Sequence, residues 1–215
     1  MALNANVVRV LCFGDSNTWG YSPEDQSRFP KTVRWTGRLQ SRLGSNFEII
    51  EEGLNGRTTQ FDYEARPGKN GLAYLRPCLD SHYPVDIVIV CLGTNDTKVE
   101  FALTPEQIAD GFSAVVETIL GKGLERPSSG VKVIAMAPTF VDERYIGDYA
   151  DLVGAESKTR ALAPLYDKVA RRFATNFIDL SKMVSPSKAD GCHLDPESHA
   201  KIAEFLSGII LGNQK

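Results

Sequence analysis

Four short stretches hold the residues able to do chemistry together: GDSNTWGY (14–21), GLNGRTT (53–59), GTND (93–96) and DGCH (190–193). Acyl transfer from an ester needs a hydroxyl to attack the carbonyl, a base to take its proton, and donors to meet the oxyanion that develops. Ser16 supplies a hydroxyl and its own backbone N–H. His193 supplies an imidazole, whose ring nitrogen can accept a proton. Asp190, three residues earlier, can accept the other ring N–H and fix the tautomer. Asn95 offers a neutral side-chain donor, and Gly56 a bare backbone that a ligand can approach closely. Each has a plainer reading: Ser16 as a helix cap, Asn95-Asp96 as a turn, Gly56 as a left-handed loop residue, and the Asp–His pair as a helix entry. What favours chemistry is the conjunction, in which every role is filled once.

These residues must be positioned by something, and the pattern of the chain says what. Apolar runs recur at VVRVLCF (7–13), FEIIEEG (47–53), DIVIVCLG (86–93), VKVIAMAP (131–138) and FIDL (177–180). Between them stand helix-like segments. RWTGRLQSRLG (34–44) repeats Trp35, Leu39 and Leu43, with Gly44 as a stop. TPEQIADGFSAVVETILGKG opens with Thr104 as N-cap, Pro105 at the first helical position and Gln107. A long helix is expected over about 155–174, kinked or interrupted at Pro164. DPESHAKIAEFLSGIIL opens on Asp195-Pro196. A polar, Gly-rich passage fills the chain to about residue 70, and no helix is assigned between it and residue 86.

Strands apolar on both faces that alternate with helices indicate a parallel sheet covered on each side. The expected fold is α/β, a flavodoxin-like doubly wound three-layer sandwich with a five-stranded parallel sheet, in one domain spanning residues 1–215. Ligands in such folds sit outside the carboxyl ends of the strands. All four stretches fall there, so they can converge despite their separation.

Composition narrows the function classes. The chain has 215 residues, 42% hydrophobic and 24% charged, with 24 basic against 27 acidic residues and a net charge of −3. No Lys/Arg block supports nucleic-acid or anionic-membrane binding. The start MALNANVVRVLCFG lacks the features of a secretory signal, and IVIVCL (87–92) is too short to cross a bilayer, so a soluble cytoplasmic protein is expected. The four cysteines form no CxxC pair; neither a disulfide nor a zinc framework is expected, nor any cofactor. Thr18 stands where the G-x-S-x-G elbow of α/β-hydrolases needs glycine.

Taken together, FGDSNTWGY, GLNGRTT, LGTND and DGCHLD resemble the four sequence blocks of the SGNH (GDSL-type) hydrolase family. VRWTGRLQ, EEGLNGRTT, CLGTNDTK and DGCHLDPESH are similar to its arylesterase/acyltransferase branch, and the likeness runs from about residue 8 to 210. The resemblance implies that Ser16 is the nucleophile, His193 the general base and then acid, and Asp190 its orienter. It implies an oxyanion hole of the Ser16 and Gly56 backbone N–H groups with the Asn95 side chain. It also implies a small-molecule ester as substrate, with no metal, and a homo-oligomer.

Residues around these blocks bear on selectivity. Trp19 and Tyr21 follow Ser16, and APTFVDERYIGDYADL (137–152) carries Phe140, Tyr145, Ile146 and Tyr149. That segment follows the fourth strand at the sheet's reactive end. It is expected to wall a narrow apolar channel for a short acyl group, with Trp19, Tyr21, Phe140, Tyr145 and Ile146 as substrate-binding candidates. Asp179 competes weakly with Asp190 for the orienting role. His82 and His199 have none, and Asp15 and Asp96 serve capping and hydrogen bonding. Two other readings stay open. One is a carbohydrate O-acetyl esterase with the same triad. The other is a flavodoxin-like module binding an anion or nucleotide at the GDSNTWG turn.

Overall fold

The computed structural model describes residues 7–121 and 130–212. Five strands form one parallel sheet: β1 (Val8–Gly14), β2 (Phe47–Gly53), β3 (Ile87–Cys91), β4 (Lys132–Ala137) and β5 (Asn176–Asp179). Their order is β2-β1-β3-β4-β5, the flavodoxin-like arrangement. The helices are α1 (Ser16–Trp19), α2 (Trp35–Leu43), α3 (Gly71–Ser81), α4 (Pro105–Ile119), α5 (Ala155–Arg172) and α6 (Pro196–Ile210).

Strand side chains alternate between two cores. Leu11, Phe13, Val88, Val90, Val133 and Ala135 point to the face covered by α3, α4 and α5, where Leu75, Phe112, Leu162 and Tyr166 meet them. Val10, Cys12, Ile87, Ile89, Ile134 and Met136 point to the face covered by α2 and α6, against Trp35, Leu39, Ile202 and Leu206. The sheet is thus the middle of three layers. All four cysteines are free and buried. Among the described residues no helix is long and apolar enough to cross a membrane.

Local signals account for most boundaries. Thr104 and Gln107 form a reciprocal capping box at α4, and Asp195 caps α6 through the Ser198 N–H at 2.7 Å. Helix α3 was not anticipated: its buried positions Gly71, Leu75, Cys78 and Leu79 follow helical spacing, but Pro77 breaks up the pattern. Pro77 is on the exposed side, so the carbonyl it leaves unpaired can be hydrated. Pro164, expected to kink or interrupt α5, leaves it assigned as one continuous helix, for the same reason: it faces solvent.

The layer of α2 and α6 is pinned by His199. The ring is fully buried and its Nδ1 accepts the Trp35 N–H at 3.2 Å, which requires the neutral form. Burial pushes its pKa down to about 4, with Asp195 opposing and Arg38 and His193 reinforcing the shift. An unfolded histidine titrates at about 6.5, so between these values the unfolded chain takes up a proton that the folded chain refuses. Stability from this group is present above about pH 6.5 and is lost as pH falls toward 4. Asp15 and Asp96, both raised to about 6 by burial, act with the opposite sign over much of the same range. The effect is therefore to be read as a difference. Urea unfolding of wild type and His199→Asn should show the wild type's advantage shrinking by up to about 3 kcal/mol between pH 7 and pH 4. An advantage that stays constant with pH would show that the ring does not resist protonation.

Candidate active site

Ser16 opens the single turn of α1. Asp15 caps that turn by accepting the Asn17 N–H at 3.0 Å, and Gly20 ends it at φ +88°. The turn lies on the ends of β1 and β2 so closely that a Cβ on Gly53 would meet the Trp19 nitrogen at 2.1 Å. Glycine at that strand end is what lets the serine turn seat.

The last block arrives from the other end of the chain. Gly191 has φ +66°, and a Cβ there would meet the Asp142 carbonyl oxygen at 2.3 Å. The Asp142 N–H donates to the Gly191 carbonyl and the Ser187 N–H to the His193 carbonyl, both at 2.7 Å. Asp190 Oδ1 accepts the N–H groups of Cys192 and His193 at 3.0 and 2.9 Å. Asp190 Oδ2 lies 2.5 Å from His193 Nδ1, and His193 Nε2 lies 3.0 Å from Ser16 Oγ. Burial alone would raise the Asp190 carboxyl. The hydrogen bond and charge of His193, with those two N–H groups, hold it below the usual carboxylate range. With its proton on Nδ1, the imidazole can accept the serine proton at Nε2 while Asp190 stays ionised to stabilise the cation that forms.

Asn17, absent from the sequence-derived site, joins the two halves. Its Oδ1 accepts the Leu194 N–H at 3.1 Å, its Nδ2 donates to the Cys192 carbonyl at 3.4 Å, and its own carbonyl accepts Trp35 Nε1–H at 3.1 Å. The only sequence signal was an amide directly after the serine. Asn95 begins a short 3-10 turn after β3, and its Nδ2 donates to the Arg57 carbonyl at 3.1 Å. Gly56 has φ +80°, and a Cβ there would meet only the Lys69 side chain at an ordinary 3.8 Å, so its backbone angle, not crowding, calls for glycine. Asp96 accepts the Thr59 N–H and hydroxyl, tying β3 to the Gly56 loop. Asp179 accepts from Ser181 instead and is not His193's partner.

Ser16, Gly56, Asn95, Asp190 and His193 line one cavity of about 590 Å³, together with Tyr21 and Ile146. Tyr21 lies against the imidazole with ring centroids 4.1 Å apart, and its hydroxyl meets that of Tyr149 at 3.2 Å. Burial, followed by that hydroxyl, pushes the Tyr149 phenol above its ordinary range. Trp19, Phe140 and Tyr145 do not line the cavity. Trp19 is covered by the Arg28 guanidinium, Phe140 by that of Arg160 at 3.8 Å, and Tyr145 faces Arg144 and Lys188. The 139–152 segment does form a wall, through Ile146, Gly147, Asp148, Tyr149, Asp151 and Leu152. The expected narrow apolar channel is corrected, since Asn55, Arg66, Lys98, Asp148 and Asp151 make much of the lining polar. Lys98 and Asp151 pair there at 2.8 Å.

This architecture has close counterparts. The native aryl esterase of M. smegmatis is 39% identical, with a TM-score of 0.87 over 96% of this chain and 99% of that one. Est24, a carbohydrate acetylesterase from Sinorhizobium meliloti, is 35% identical, with a TM-score of 0.86 over 96% of this chain and 100% of its own. An acetylxylan esterase of Xylanibacter ruminicola is 24% identical over 95% of this chain, which spans only 43% of that relative's length. The model of the GDSL-like lipase/acylhydrolase family matches residues 12–201. The chain belongs to that family, one of carboxylic ester hydrolases.

Proposed function

We propose that the chain is a serine esterase that removes short acyl groups, acetyl foremost, through an acyl-enzyme on Ser16. The observation that carries this is the relay from Asp190 through His193 to Ser16, with links of 2.5 and 3.0 Å. His193 takes the hydroxyl proton as Oγ attacks the ester carbonyl. The oxyanion develops toward the Ser16 and Gly56 backbone N–H groups and the Asn95 amide. Imidazolium then gives its proton to the departing alcohol, and water enters by the same steps in reverse. An alcohol in place of water would give acyl transfer from the same intermediate.

A second reading concerns the leaving group. Asn55, Arg66, Lys98, Asp148 and Asp151 give the cavity hydrogen-bonding capacity suited to a polyhydroxyl alcohol, and two of the relatives are named for carbohydrate acetyl esters. We infer that an O-acetylated sugar fits this wall better than a plain alkyl ester does. The anion-binding module loses support, because the Asp15 carboxylate already occupies the N-terminus of a four-residue turn.

Ser16→Ala should abolish turnover while leaving the thermal midpoint within about 2 °C, as no fold contact depends on the hydroxyl; residual turnover above a few percent would refute the nucleophile. Asp190→Asn should lower kcat by about 10²–10⁴-fold, since the amide favours the wrong tautomer. Across p-nitrophenyl esters, kcat/KM should peak at acetyl or propionyl. A maximum at eight carbons or more would rule out the short-acyl reading.

A further inference from the structure

Arg57 follows Gly56 directly and is 2% exposed, a cation buried beside the oxyanion side of the cavity. Its Nη1 donates to the Gly14 carbonyl at 3.0 Å and to the Glu52 carbonyl. Gly14 pairs with Gly53 and Phe13 with Glu52 in the sheet, so one guanidinium closes the carboxyl ends of two neighbouring strands. Its Cζ lies 4.1 Å from the Phe13 ring centroid and 5.2 Å from that of Tyr74, which are cation–π distances. The same residue's backbone makes the contact to the site, since its carbonyl accepts from Asn95 Nδ2 at 3.1 Å.

We propose that Arg57 is the positioning residue of the oxyanion-stabilising donors. Its guanidinium fastens the Gly56 loop to β1 and β2, and its carbonyl holds one N–H of the Asn95 amide so that the other is left for the oxyanion. The inference rests on the esterase reading. A planar guanidinium suits this work because it donates to two carbonyls while its face packs on rings, which an ammonium cannot do.

The buried cation has its counter-charge in place. Of the charges that oppose the depression burial imposes on the guanidinium, that of Glu52 acts most strongly. The carboxylate is held by the Tyr74 hydroxyl at 3.2 Å and by His82 Nε2 at 2.8 Å. Glu52, Cys78 and His82 bring possible metal-ligand atoms within 4.8 Å of one another. With both carboxylate oxygens engaged and Arg57 close by, the group serves as electrostatic support for Arg57. Tyr74 and Cys78 come from α3 and His82 is the residue that caps its C-terminus, so this helix buttresses the oxyanion loop from outside the cavity.

The test uses the full chain and p-nitrophenyl acetate. Arg57→Met should lower kcat by about 100-fold, the cost of a misplaced reacting geometry, with KM changed less than about threefold. Arg57→Lys should recover only part of that loss. Combined with Asn95→Ala, the Arg57→Met loss should shrink from about 100-fold to about tenfold or less, the share left to the Gly56 N–H, because both changes disable the Asn95 donor and such effects do not add. An unchanged kcat, or losses that multiply in the double variant, would overturn the proposal. If Arg57→Met does not fold, Tyr74→Leu is read instead, its ring being 41% exposed. There a drop of about fivefold that is smaller in the Asn95→Ala background supports the proposal, and no drop, or one that multiplies in full, overturns it. The esterase reading fails on a separate arm, if wild-type turnover is absent or survives Ser16→Ala.

Discussion

Everything at this site depends on a hydrogen bond between side chains 177 residues apart, Ser16 and His193. Neither end of that bond can be placed by its own local structure. The serine turn is fixed by Asp15 and by the glycine ends of two strands, the histidine loop by Gly191 and Asp190. A 3.0 Å contact between them is possible because α6 and α2 share one face of the sheet. Trp35 is the hub on that face: its backbone N–H donates to His199 on α6, and its indole N–H donates to the carbonyl of Asn17, next to Ser16. Packing of the layer and alignment of the relay are therefore the same set of contacts.

Burying this machinery creates an electrostatic problem, because the carboxylates of Asp15, Asp96 and Asp190 and the Arg57 guanidinium are all nearly inaccessible. A lone buried charge costs several kcal/mol, so each must be hydrogen-bonded or paired. Asp190 is the best supplied, with two backbone donors and the imidazole, and it alone of the three is held below the ordinary carboxylate range. Asp15 and Asp96 are more deeply buried, and burial outweighs their hydrogen bonds and pushes both up to about 6. The difference fits the work. In the proposed mechanism Asp190 has to remain an anion when imidazolium forms, whereas Asp15 and Asp96 only have to accept hydrogen bonds.

The sheet was legible because buried parallel strands are continuous apolar runs, and the strand ends then located the four reactive loops. The grouping of Ser16, His193 and Asp190 was legible because few side chains can act as nucleophile or base, and of the two aspartates that competed as orienter only Asp190 lies on the histidine's own loop. Contacts made by atoms that every residue carries were not. Asn17 acts partly through its carbonyl and Arg57 through both its carbonyl and its guanidinium, and a motif scan assigns neither a task. Aromatic identity misled for a related reason. Trp19, Phe140 and Tyr145 offer ring faces that neighbouring guanidinium and ammonium groups cover, a pairing that spacing along the chain does not reveal. Helix α3 was hidden by a proline that its solvent-facing position makes tolerable.

The cavity wall completes the link from fold to chemistry. The 139–152 segment leaves β4 at the reactive edge and must cross above the histidine loop before α5 begins. Its hydrophobic side, Val141, Ile146 and Leu152, packs with Ala155 and Cys192 into a small separate core beneath that loop. Ile146 and Leu152 also border the cavity, where Asp148 and Asp151 stand beside them and Asp151 pairs with Lys98 from the strand β3 side. One segment thus both holds the histidine loop down, through Cys192, and brings two carboxylates to a cavity edge that its own apolar residues share.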